Sequence, residues 1–129
     1  MKKLLIFFAL VAISFAANCQ NNVKVQAMIA GYKINDTIKV ADFLKLTEIS
    51  LNNKEYSIVS FELSFDAKGY KISTESTSNK ITDLMKSSFS KNLPNQMDMI
   101  RIYIEKIVVQ KPKSKSFIVE PLVYILRLK

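Results

Sequence analysis

Apolar and polar residues alternate along much of this chain, and the period lengthens in a single interval. Val23, Val25, Ala27 and Ile29 alternate with more polar neighbours, the period-2 pattern of a half-buried strand. Gly31 and Asn35-Asp36 signal a turn. Residues 37–44 are ambiguous, because Asp42, Phe43 and Leu44 fit either a short helical turn or a kinked strand. Thr47, Ile49 and Leu51 then share a face, and Asn52-Asn53-Lys54 closes that stretch.

Residues 56–65 give the clearest strand. Val59, Phe61, Leu63 and Phe65 fall on one face, and Ser60, Glu62 and Ser64 on the other. Strict alternation of β-branched and aromatic residues describes a pleated surface with one dry side. Asp66-Ala67-Lys68-Gly69 is a hairpin turn, with Gly69 free to take a positive φ. Tyr70 to Ser73 pairs back as the next strand.

Beyond Ser76-Thr77-Ser78-Asn79, a cluster of helix-capping residues, the period changes. Ile81, Leu84, Met85 and Phe89 stand at i, i+3, i+4 and i+8, one stripe of a helix over residues 79–91. Asp83 suits the helix start, and Pro94 stops its continuation.

Residues 97–109 return to strand. Ile100, Ile102 and Ile104 share a face, while Ile107 and Val109 have the opposite parity. That switch predicts a bulge near Glu105-Lys106. Residues 111–116 form a charged loop, and residues 117–128 the last strand. Pro121 lacks an N–H, which places it at an edge, a bulge or a strand start. Leu122, Tyr124, Leu126 and Leu128 make one face, and the apolar Val123 and Ile125 on the other suggest burial on both sides. The pattern predicts a mainly β fold, a β-sandwich-like domain of about six strands with one inserted α-helix packed across it.

The first residues follow a different logic. Lys2 and Lys3 precede an unbroken apolar or small run over residues 4–17. This matches a signal-peptide core of ~7–15 residues and falls short of the ~20 needed to span a bilayer. Ala17-Asn18-Cys19 fits cleavage before Gln20, giving a signal peptide over residues 1–19 and a single β-rich domain over residues 20–129. The expected location is periplasmic or secreted. If Cys19 instead became the first mature residue it would be a candidate for lipidation, the one membrane attachment this reading allows. Asn18 departs from the small residue that such a site prefers. With a single cysteine no intrachain disulfide forms. The remaining ~110 residues can build a core without metal or disulfide staples. The net charge of +8 partly leaves with Lys2 and Lys3, and the modest excess that stays fits a solvated surface and does not by itself imply nucleic acid, so no nucleic-acid partner is expected.

The chemical inventory is thin. There is no histidine, which removes the commonest neutral-pH base and metal ligand. Two glycines cannot make a phosphate-cradling loop. Asp66, Glu75, Asp83, Asp98, Glu105 and Glu120 are candidates for a carboxylate pair of the hydrolytic kind, but nothing in their spacing forces two together, and the plainer reading is solvated surface charge. No calcium-loop pattern occurs. The expectation is therefore no catalytic residue, no metal and no cofactor. Lys111, Lys113 and Lys115 read as a solvated hairpin tip, with Phe117 and Tyr124 in the core or on its rim. Tyr56, Tyr70, Tyr103 and Tyr124 are candidates for a binding face. The most specific is Met99, Arg101 and Tyr103, which share a strand face and have the Met, Arg and Tyr enrichment of contact patches. The competing reading is a sheet face partly covered by the helix.

The run from Ala41 through Ser60-Phe61-Glu62-Leu63, the step Ile104-Glu105-Lys106-Ile107 and the final strand Pro121-Leu122-Val123-Tyr124-Ile125-Leu126 together resemble the C-terminal domain of the gliding-motility protein GldM. The likeness covers most of residues 37–128. It implies a β-rich periplasmic module of a type IX secretion and gliding machine, working through contacts with neighbouring proteins. As read, with its leader removed, the chain is expected to depart from the family in having no stack of preceding domains and no membrane helix that survives processing. Leu93-Pro94-Asn95-Gln96 also stands where the family has a glycine. No functional residue carries over. The expected function is an exported, non-enzymatic interaction module of the cell envelope with a protein partner. The alternatives are a periplasmic small-ligand binder, with a pocket between helix and sheet, and a carboxylate-based hydrolase.

Overall fold

The computed structural model describes residues 24–93 and 98–128. The expected leader, Cys19 and Pro94 lie outside the described residues. In chain order the elements are β1 (Ala27–Met28), β2 (Thr37–Lys39), α1 (Val40–Phe43), β3 (Ser50–Leu51), β4 (Ser57–Ala67), β5 (Tyr70–Ser76), α2 (Asp83–Asn92), β6 (Met99–Gln110), β7 (Phe117–Val119) and β8 (Leu122–Arg127).

Six strands form one sheet in the order β2-β8-β6-β4-β5, with β7 beside β6. All its pairings are antiparallel except β2 with β8. The β4–β5 hairpin turns on two residues with positive φ, Lys68 at 55° and Gly69 at 80°, between the paired Ala67 and Tyr70. Two positive φ values match the twist of the flanking strands.

The fold is mainly β, as the alternation implies, with a thinner second layer than a full sandwich has. The inner face of the sheet buries Phe61, Leu63, Phe65, Ile102, Ile104, Tyr124 and Leu126. It is covered by the two-stranded β1–β3 ribbon, which brings Ala27 and neighbouring Ile29 and Ile49, and by α1 and α2, which bring Phe43, Met85 and Phe89. The Phe89 ring meets Phe65 at 5.1 Å and Phe43 at 5.4 Å, both edge-on, a favoured aromatic geometry.

Helix α2 starts later than its hydrophobic stripe suggests. Residues 79–81 are occupied with the chain around β3: Ile49 N donates to Asn79 O at 2.9 Å, and Ile81 N to Thr47 O at 2.9 Å. That pairing holds them extended. Thr82 is the cap, its hydroxyl accepting from Met85 N at 3.2 Å. Ile81 is buried ahead of the helix, Met85 and Phe89 form the buried line, and Leu84 turns outward at 67% exposure.

The inner pattern of the sheet skips at one level. The β4–β6 ladder shifts between Ile58 and Ser60 and shifts back between Ser60 and Glu62. The first shift makes Val59 a surplus residue on β4. The second makes Lys106, with φ 51°, a surplus residue on β6, so the expected bulge at Glu105-Lys106 is present. Val59 does not join Phe61 and Leu63, as alternation alone implies. It is 40% exposed, and Ile58 packs inward in its place. At the same level β7 gives way to β8 across Glu120 and Pro121, which lie opposite Glu105 and Lys106. Inward residues on three neighbouring strands therefore fall three apart: Ile58 and Phe61, Ile104 and Ile107, Val119 and Leu122.

Candidate functional site

Met99, Arg101 and Tyr103 lie on the first half of β6, at the positions between the buried Ile100, Ile102 and Ile104. They point to the outer face of the sheet. Direct partners from β8 extend the patch: Arg127 beside Met99, Ile125 beside Arg101 and Val123 beside Tyr103. Met99 is 56% exposed, and Tyr103, Val123 and Ile125 are half-buried. Helix α2 packs on the opposite face through Met85 and Phe89, so it does not cover this patch. The alternation of β6 placed the three residues together. The contribution of β8 was missed because Val123 and Ile125 read as doubly buried, and pairing with β6 could not be read from spacing.

Next to this patch the outer face becomes an ion-pair lattice. Glu75 on β5, Glu62 on β4 and Glu105 on β6 stand directly across from one another. Glu105 Oε1 accepts from the Ser64 hydroxyl at 2.5 Å and from Lys71 Nζ at 2.8 Å. Lys71 reaches it from β5, over the buried Ser64. Glu62 is paired with Lys106 at 3.0 Å. Its place opposite Glu105 was not anticipated, since only the ladder register reveals it.

Charge follows from these partners. The Lys71 ammonium, then the Ser64 hydroxyl, hold Glu105 below the ordinary carboxylate value. Lys106, then Ser73, do the same for Glu62. Lys71 is raised in return, chiefly by its hydrogen bond to Glu105. A hydrolytic carboxylate pair needs one member that keeps its proton near working pH. Both of these glutamates are shifted the other way. Glu105 lines a hollow of ≈ 220 Å³ with Asp66, Lys71 and Tyr103, and Glu62 lines another of ≈ 360 Å³ with Glu75, Lys106 and Ile118.

Other candidates scatter. Asp83 sits in the first turn of α2, and Glu120 pairs with Lys24. Tyr124 is fully buried, which removes it from any binding face, and burial pushes its hydroxyl up. Tyr70 is exposed beside the hairpin turn. Tyr56 meets Phe117 edge-on at 5.7 Å, and Phe117 is 42% exposed rather than a core residue. The interface of α2 with the sheet, where the alternative small-ligand reading puts its pocket, is packed with the rings of Phe43, Phe65 and Phe89. Among the described residues no group of three or more His, Cys, Asp or Glu side chains is placed to hold a metal ion. No helix among them is long and apolar enough to cross a membrane. Comparison of the chain with protein-family models and with curated proteins returns no match.

Proposed function

We propose that this chain is an exported, non-enzymatic interaction module of the bacterial cell envelope that binds a protein partner through the outer face of its large sheet. The observation that carries this reading is the uncovered patch of Met99, Arg101 and Tyr103, widened by Val123, Ile125 and Arg127. It combines flat apolar area with arginine and tyrosine, the composition of contact hot spots. With two arginines and, beside Arg127, Lys39, it favours a partner surface that is apolar at its centre and acidic at its edge. The signal-like leader and the resemblance to the GldM C-terminal domain favour the same reading and point to a protein of the secretion or gliding apparatus.

Surface contact also suits the chemistry of these side chains. The chain has no histidine, and its two opposed glutamates are held ionised by lysines. A photo-crosslinking residue in place of Tyr103, expressed in the native host, tests the proposal. A single crosslinked envelope protein is expected, lost with Arg101→Glu. Crosslinking that is absent, or unchanged by Arg101→Glu, overturns it.

A further inference from the structure

We infer that the tip of the β6–β7 hairpin docks the domain on an anionic lipid bilayer, at the end of β6 remote from the Met99 patch. Residues 111–116 are exposed throughout and carry Lys111, Lys113 and Lys115. Lys111 is tied down, 3.7 Å from Glu55 and 6.0 Å from the centre of the Tyr56 ring. Lys113 and Lys115 have no ion-pair partner among the described residues. The tip is nonetheless shaped, because Ser114 N donates to Lys111 O at 3.1 Å and the Gln110 amide donates to Ser114 O at 3.2 Å. Phe117 and Ile118 follow at once, Ile118 with 65% exposure.

Lysines beside exposed apolar side chains are the elements of interfacial binding. The charges are drawn to anionic headgroups, and the apolar groups enter the boundary between headgroup and acyl chain. Two features favour a bilayer over other anionic partners. The tip holds lysines and no arginine, so it offers mobile point charges suited to a diffuse negative surface and lacks the fork that grips a fixed phosphate or carboxylate. Its aromatic rings are also engaged: Tyr56 and Phe117 meet edge-on and Lys111 stands over Tyr56. They are not free as stacking platforms for nucleic-acid bases.

The test is vesicle co-sedimentation of the protein as its host processes it. Vesicles of phosphatidylcholine alone are compared with vesicles of phosphatidylcholine and phosphatidylglycerol. Binding is expected to the anionic vesicles only, to fall as salt rises, and to drop at least about tenfold in the Lys113→Glu/Lys115→Glu variant. Ile118→Ser should weaken it as well. Both changes lie on exposed positions, and an unchanged melting temperature verifies the fold. The Arg101→Glu/Tyr103→Ala chain should bind vesicles like the parent, so failure here is separate from failure of the partner patch. Equal binding to neutral vesicles, no binding, insensitivity to the lysine reversal, or tighter capture by a DNA oligonucleotide at the same salt would each overturn the inference.

Discussion

Glu62 and Glu105 face each other directly across the β4–β6 ladder, and each is neutralised by a lysine from a different strand, Lys106 of β6 and Lys71 of β5. Like charges directly opposed in a sheet are destabilising. The two lysines turn that liability into a lattice joining three strands, with the buried Ser64 hydroxyl beneath it.

This lattice sets an acid limit. Both glutamates have folded-state values below the ordinary 4.5. The native protein therefore binds fewer protons than the unfolded chain in that range, and stability falls as pH drops through those lowered values. The melting temperature should hold from neutral pH to about the ordinary carboxylate value and then decline. Glu105→Gln should cost about 1 kcal/mol at neutral pH, a modest figure for a partly exposed pair. It should also flatten the acid decline. An unchanged acid profile in the variant would assign the decline to other carboxylates.

The exchange of Ile58 for Val59 at the inner face makes a sharp comparison. Ile58→Ala should destabilise by about 1–2 kcal/mol, whereas Val59→Ala should stay within about 0.5 kcal/mol. Urea denaturation of the two variants reads the difference. The reverse order would mean that β4 runs without its surplus residue.

Phe89 is the anchor of α2, with rings on two sides. Phe89→Ala should cost about 3–5 kcal/mol. Phe43→Ala, at its neighbour, should be less than additive with it, because the two changes open one shared cavity. A double-mutant cycle by chemical denaturation measures this coupling.

Lys68 holds a left-handed conformation, φ 55°, at the first position of a two-residue hairpin turn before Gly69. Lys68→Asn places there a residue that tolerates this region better. The melting temperature should rise, by an amount equivalent to up to about 1 kcal/mol.

The parts of the fold that were legible in the sequence are those written in local alternation. The strand around Phe61 to Phe65, the turn at Lys68-Gly69 and the bulge at Lys106 all follow from residues within a few positions of one another. Lys106 was visible because Ile104 and Ile107 are both strongly apolar and out of step. The matching skip at Val59 was hidden, since Val59 itself satisfies an apolar alternation. The start of α2 was hidden for another reason: Asn79 and Ile81 are held extended by partners some thirty residues earlier. In the candidate site, Met99, Arg101 and Tyr103 were readable as one face of one strand. Their neighbours Val123 and Ile125, and the confrontation of Glu62 with Glu105, depend on long-range register, which spacing does not encode.

Three adjacent strands each gain one residue within the same short stretch of the sheet, at Val59, at Lys106 and across Glu120-Pro121. Their lengths are consequently interlocked. Shortening any one alone would slide half of that strand by a position and exchange its oily and wet sides; shortening all three together would restore an unbroken weave. Descendants of this chain should therefore lose or keep these three residues as a set, and a gap found at just one of them would mark a sheet that has re-formed in another way.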